Sequence, residues 1–221
     1  MAEKLSIVIP THNCIHYLKM CLDSIKRNSV RDDHEIVICC DCCTDGTQEW
    51  LADNDYDFSE YNEPHAPSAE HALVMWHTGF RLALQPYVCF ANDDQIFGPK
   101  WDEIITPYLA EDKVIGMQLI EPGTLGKPWR GLIEKSFGDT FKDVDIEAFE
   151  EFCGTLEPGT VEHEGVDIST VWHRDHYMKQ EGGWPRCTVI DETQPFVRVT
   201  NAGVYHFSNK SRTCGGDAHL S

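Results

Sequence analysis

Ile7-Val8-Ile9-Pro10-Thr11-His12-Asn13 and Ile36-Val37-Ile38-Cys39-Cys40-Asp41-Cys42-Cys43-Thr44-Asp45-Gly46-Thr47 decide the fold. Each opens with a short β-branched run and breaks abruptly into polar residues, as a buried strand does where it meets a loop. Leu5 to Ile9 reads as one strand and Glu35 to Cys40 as a second. Between them, Ile15, Leu18, Leu22 and Ile25 recur at helical spacing and mark one buried face. Asp45, three residues before Gln48, resembles a capping box that opens a short helix through Trp50 and Leu51. Asp57 to Tyr61 predicts a third strand. Pro67-Ser68 introduces a longer helix with Ala69, Leu73, Trp76, Phe80 and Leu84 along its buried stripe. Tyr87 to Ala91 predicts a fourth strand, which ends at Asn92-Asp93-Asp94-Gln95. This alternation predicts an α/β fold, a mostly parallel sheet with helices on both faces. Ligands of such sheets bind beyond the carboxyl ends of the strands. The clusters at 10–13, 41–46 and 92–94 should therefore converge.

The second half is less regular. Val114 to Ile120 predicts another strand, Gly123, Gly126, Pro128 and Gly131 suggest loop, and Val144 to Phe152 fits an acidic amphipathic helix. No repeat, low-complexity tract or linker divides the chain, so one domain over 1–221 is expected, with ample length for a core. Eighteen basic side chains against 37 acidic ones give a formal charge of −19. Such a chain is a poor partner for nucleic acid or an anionic membrane surface. Most of the excess lies in Asp143 to Asp167, with nine acids and no Lys or Arg, and in Glu49 to Glu63, with six. Both read as solvated surface. No apolar run reaches the length of a membrane span, and the first residues lack the apolar core of a signal peptide. Ten cysteines are too few for a disulfide scaffold. Mostly free thiols in a reducing compartment, the cytoplasm, are expected.

Taken in order with Phe90-Ala91-Asn92-Asp93-Asp94, the two opening stretches resemble the nucleotide-sugar-binding half of a GT-A-fold glycosyltransferase of family 2. That family reads V-I-P-x-Y/H-N, V-D-D-G-S-T-D-G-T and F-L-D-x-D at these places. The resemblance runs through residues 5–105 and returns more weakly over 170–211. It implies a nucleotide-sugar-binding half at 1–115, an acceptor-binding half at 116–221, and inverting transfer to an acceptor hydroxyl. It also implies divalent-metal assistance, because expulsion of a diphosphate develops negative charge that a hard cation offsets. By this resemblance Asp94 binds Mn2+ or Mg2+, and Asp93 faces the ribose or the metal. Asn92 replaces the family's commoner first Asp. Pro10, Thr11 and Asn13 line the nucleoside pocket. Asp41 accepts a hydrogen bond from the base, which makes UDP the expected nucleotide, since a base without that donor would leave the carboxylate unpaired. On residues alone, Asp41 could merely end a strand and Asn13 cap the following helix.

Three departures matter. Met75-Trp76-His77-Thr78-Gly79 stands where the family has A-R-N-x-G, so the phosphate-seeking Arg is Trp76. Arg174, Lys210 and Arg212 are candidates to replace its charge, and His77 may be read as a core histidine bonded to a backbone carbonyl. Cys39-Cys40-Asp41-Cys42-Cys43 contains overlapping Cys-x-x-Cys spacings open to a redox or metal reading; against it, adjacent strand residues face opposite ways, no second pair completes a zinc site, and by the resemblance these places need only small side chains. The third departure is the irregular run Thr193-Gln194-Pro195-Phe196. Just before it, Asp191-Glu192 occupies the place of the family's catalytic carboxylates, with Asp191 as general base and Glu192 its substitute. Trp172-His173-Arg174-Asp175 through Gly182-Gly183 resembles a family helix that ends at a glycine pair. His206, in Val204-Tyr205-His206, resembles a late V-x-H histidine that approaches the metal or the diphosphate, and an imidazole ligand tilts the metal toward Mn2+. A buried structural histidine is the plainer alternative. The acidic 143–167 segment disfavours polyanionic acceptors. A GT-A module that binds nucleotide or glycan without turnover is the rival reading.

Overall fold

The computed structural model describes residues 2–63, 69–123, 131–162, 170–178 and 196–207. The first apolar runs form β1 (Ser6–Thr11), β2 (Glu35–Asp41), β3 (Phe58–Tyr61) and β4 (Tyr87–Phe90), all parallel, in the order β3-β2-β1-β4. They are joined by α1 (Ile15–Asn28), α2 (Thr47–Asp53) and α3 (Ala69–Leu82). The rest of the chain adds β5 (Gln95–Phe97), α4 (Trp101–Ile105), β6 (Val114–Glu121), β7 (Ile133–Glu134), α5 (Ile146–Cys153), β8 (Thr160–Glu162), β9 (Thr170–His173), α6 (Arg174–Met178) and β10 (Phe196–His206). Among the described residues the strands make one sheet, β3-β2-β1-β4-β9-β6-β10-β5, with β7 beside β6 and β8 beside β10. β9 is antiparallel to both β4 and β6, so β6 and its parallel neighbour β10 run in the direction of β1 to β4. No described helix is long and apolar enough to cross a membrane.

Period-two alternation splits the core between the two faces of the sheet. Ile7, Ile9, Ile38 and Cys40 pack with Leu18, Leu22 and Ile25 of α1 and with Trp101 of α4. Val8, Val37, Val88 and Phe90 pack on the other face with Phe80 of α3 and Tyr177 of α6. A third cluster, with Tyr17, Ile96, Phe149, Tyr205 and Phe207, fills the space under α5.

Helix α3 approaches the sheet closely at Gly79. A Cβ there would run into Val8 Cγ1 and lie 3.1 Å from Cys39 Sγ. Gly79→Ala should therefore cost about 1–3 kcal/mol through overpacking, read as a lowered urea midpoint at unchanged slope.

Asp102 is fully buried at the start of α4 and anchors the α1–β2 connection. Its carboxylate accepts from Val30 N, Arg31 N and His34 Nε2, while His34 Nδ1 accepts from Leu5 N. Burial opposes its ionisation, but the hydrogen bonds outweigh that and hold its pKa below the ordinary 3.8. A depressed carboxylate contributes stability in full above its unfolded pKa, and that contribution disappears as pH falls through the folded value. Asp102→Ala should destabilise by about 2–4 kcal/mol near neutrality, because it strands buried donors. The deficit should shrink in acid, which urea titrations at several pH values would show.

Two local expectations are corrected. The N-cap of helix α2 is Gly46, in the left-handed region, and not Asp45, so Asp45 and Gln48 form no capping box. Trp172-His173 is strand β9 rather than helix, and helix begins only at Arg174. Thr-Val-Trp is β-favouring, and pairing with β4 and β6 on both sides fixes it as a central strand.

Candidate active site

The carboxyl ends of β1 and β2 meet through their loops. His12 Nδ1 lies 2.5 Å from the Asp41 carbonyl and 4.0 Å from its carboxylate. Asn13, left-handed at φ 53°, accepts from Thr44 N at 2.6 Å through Oδ1. It thus ties one loop to the other instead of capping α1. That helix starts with Asp45 Oδ2 accepting from Ile15 N at 2.9 Å, while Asp45 Oδ1 accepts from Thr47. One carboxylate therefore holds the starts of both α1 and α2. Asp41 is buried, and so is Thr11, whose Oγ1 has no hydrogen-bond partner among the described residues. Pro10 precedes Thr11 on β1, in register with Cys39.

The end of β4 supplies the second group. Asn92 N donates to Gln95 Oε1, which closes the turn that places Asp93 and Asp94. Asp94 lies 3.4 Å from Nε2 of His206, and Asn92 Nδ2 is equally close to that nitrogen. Glu121, the last residue of β6, sits 2.7 Å from His206 Nδ1. All three ionisable groups are buried. Burial alone would lower the His206 pKa, but the charges of Asp94 and Glu121 outweigh it and raise it to about 9. The two carboxylates thus favour positive charge at the ring, and the Nε2 side, facing Asp94, is where a cation could take a proton's place.

Sequence reasoning named Asp94 and His206 but missed Glu121. Its signal was present: an acid directly after the Val114–Ile120 run, in the strand-end position that Asp41 holds in β2. One carboxylate plus one imidazole whose far nitrogen is anchored by Glu121 fits a divalent cation that draws its other ligands from a diphosphate and water. Among the described residues no group of three or more His, Cys, Asp or Glu is arranged to hold a metal by protein ligands alone.

The two clusters are adjacent, since the charge of Asp93 reaches the Cys43 thiol. Trp76, in the place of the family's Arg, donates from Nε1 to Ala91 O at 3.3 Å, against the end of β4. Its position reaches the site without bringing charge. Arg174 does not replace that charge: it lies at the opposite end of β4 and donates to the Phe80 and Ala83 carbonyls at the close of α3. His77 Nε2 accepts from Arg81 Nε at 3.0 Å rather than meeting a backbone carbonyl there. Asp191, Glu192, Lys210 and Arg212 lie outside the described residues. Cys21, Cys39, Cys40, Cys42, Cys43, Cys89 and Cys153 are free thiols, and Cys14 is disulfide-bonded.

Comparison with known proteins agrees with the fold. The model of the glycosyl transferase family 2 matches residues 6–155. No curated protein matches the chain. Among solved structures, that of S. aureus TarS 1–349 superposes with a TM-score of 0.59 at 15% identity, covering 92% of this chain and 60% of that one. The same protein in complex with UDP-GlcNAc gives 0.58 at 14% identity, over 92% of this chain and 58% of that one. Its complex with UDP gives 0.55 at 14% identity, over 92% and 60%. The chain thus spans about 60% of the length of these structures, and the likeness shows a shared GT-A α/β fold. With the family model matching well over half of its residues, the chain belongs to glycosyl transferase family 2.

Proposed function

We propose that the protein is an inverting glycosyltransferase that moves a sugar from a nucleotide sugar, UDP-linked, to an acceptor hydroxyl. The observation that supports this reading is the convergence, at the carboxyl ends of the parallel strands, of the buried Asp41 carboxylate with the buried Asp94–His206 pair. Asp41 would accept from the base, Thr11 would spend its unpartnered hydroxyl on the nucleoside, and Asn13 would keep the two loops in register. Asp93 would face the ribose or the metal. Asp94 and His206 would hold Mn2+ or Mg2+, with Mn2+ favoured by the imidazole, and the ion would supply positive charge to the departing diphosphate. Asp191, or Glu192 in its place, would take the acceptor proton. The solved TarS complexes contain UDP and UDP-GlcNAc, consistent with a uridine nucleotide here. The described part of the acidic 143–167 segment is largely exposed, which favours an acceptor that is not polyanionic, such as a neutral glycan. The preponderance of free thiols suits the cytoplasm.

The test is a melting screen of UDP, CDP, ADP and GDP with and without Mn2+. At a hundredfold excess over Kd, UDP with Mn2+ should raise Tm by about 5–10 °C, and the other nucleotides by far less. Equal shifts for all four would remove the role given to Asp41. A second reading, a module that binds without turnover, is favoured by the neutral Trp76 and by Arg174 pointing away from the site. It predicts the same melting shifts with no release of UDP from UDP-sugars.

A further inference from the structure

The cysteine run at the end of β2 divides in a way that its spacing alone does not show. Cys39 faces α3, where its Sγ nears Gly79. Cys40 faces the other way, in register with Thr11 and buried in the α1-side core. Cys42 adopts a left-handed φ of 47° and sends its thiol to the Glu63 carbonyl, 3.2 Å away. That reversal returns Cys43 to the side of Cys40, where it packs against the same core and lies 3.5 Å from the Thr11 carbonyl. Both side chains adjoin Thr11, Cys40 by strand register and Cys43 through its thiol, and the two thiols are near enough to influence each other's ionisation. Cys40 is fully buried, while Cys43 is partly exposed.

We propose that Cys40 and Cys43 form a redox modification site: a hydroperoxide oxidises Cys43, and Cys40 resolves it to an intramolecular disulfide that disables the donor loop. The thiolate of Cys43 attacks a peroxide oxygen, forming an S–O bond as the O–O bond breaks and hydroxide (or alkoxide) leaves. Cys40 sulfur then displaces the oxygen of the sulfenic acid. The S–S bond forms, the S–O bond breaks, and the oxygen departs as water with the Cys40 proton. The sulfur pair loses two electrons and the peroxide gains them.

The division of labour follows from the surroundings. The neighbouring Cys40 thiol draws the Cys43 pKa below the ordinary thiol value; burial opposes this, the Asn13 backbone N–H assists, and Asp45 and Asp93 oppose it weakly. The Cys43 thiol and then burial push Cys40 upward, which keeps it a thiol until a partner sulfur is oxidised. The nucleophile is thus the accessible member and the resolving thiol the hidden one. The disabling effect rests on the donor-site reading above. A disulfide would pull Cys43 away from Thr11 and disturb Thr44, the hydrogen-bond partner of Asn13.

The site is tested by treating the chain with limiting hydrogen peroxide, cleaving after Asp41 and mapping the linked fragments by mass spectrometry. Cleavage there separates Cys40 from Cys43, so an oxidised pair remains joined until reduced. In Cys40→Ala, Cys43 should instead accumulate as a sulfenic acid that dimedone traps about tenfold faster than Cys39 or Cys42. If Cys40→Ala does not fold, Cys43→Ala, at the partly exposed position, should lose the cross-link altogether. A link through Cys39 or Cys42, or no link, overturns the proposal. The functional consequence is read separately as loss of the UDP-induced melting shift after oxidation, its return with dithiothreitol, and its insensitivity to peroxide in Cys43→Ala. A chain that cross-links as stated but never binds a nucleotide refutes the donor reading and leaves the redox site standing. Loss of the shift that persists in Cys43→Ala refutes the proposed control of the loop.

Discussion

Asp94→Asn is expected to lower UDP release from a UDP-sugar by at least about a hundredfold, with the fold retained. The residue is buried at the end of β4, and its carboxylate is the charged group that faces His206 Nε2. Amide for carboxylate keeps size and shape but removes the negative charge that would retain a divalent cation beside the diphosphate. The histidine responds too, because Asp94 is the larger of the two carboxylate influences that raise its pKa. Glu121 would still orient the ring through Nδ1. The change should therefore appear in turnover and in the Mn2+ dependence of UDP binding, while urea stability moves by far less than in Asp102→Ala. Turnover near that of the unchanged protein would sink the assignment of Asp94 to the leaving group. A metal-dependent melting shift that survived would sink its role as a ligand.

Asp191→Asn should lower turnover by about 10²–10⁴-fold and leave UDP affinity unchanged. The two effects separate because the proposed base would act on the acceptor hydroxyl, whereas the proposed donor site lies at the β1, β2 and β4 loops. Loss of both together would mean that Asp191 supports the fold or the donor. Loss of neither would transfer the role to Glu192, for which Glu192→Gln is the matching variant. If both variants turn over normally, the Asp191-Glu192 base assignment is wrong.

The first half of the chain was legible because each of β1, β2 and β4 is a single apolar run with an abrupt polar end. Ile7-Val8-Ile9, Ile36-Val37-Ile38 and Tyr87 to Phe90 all became parallel strands, and the clusters that follow them meet as expected. Position relative to a strand end is local information, and it was enough to place Asp41 and Asp94 at the ends of β2 and β4, while the roles proposed for them come from the family resemblance. What escaped depends on distant partners. β10 is eleven residues long, but the polar Thr200-Asn201 and the register shift between Val199 and Gly203 break its pattern, so only its last residues stood out. β9 is four residues long and owes its existence to neighbours on both sides. Glu121 and His206 meet across 85 residues of sequence, and no spacing rule connects them. The thiol pair was hidden for a related reason: Cys-x-x-Cys says which sulfurs are near in sequence, while the backbone reversal at Cys42 decides which ones touch.

The place of β10 has a consequence for how the molecule is made. Asp94 and Glu121 are set early in the chain, but their common partner arrives on the last described strand, which must enter between β6 and β5. During synthesis the two carboxylates would wait, mutually repelling, beside an open slot in the sheet. Contacts of such long sequence separation form late, because the loop-closure entropy precedes their reward. Arrival of His206 then fills the slot and neutralises the repulsion in a single event. Nascent chains that stop short of Phe196 should therefore expose the unpaired edges of β5 and β6 to chaperones or to one another.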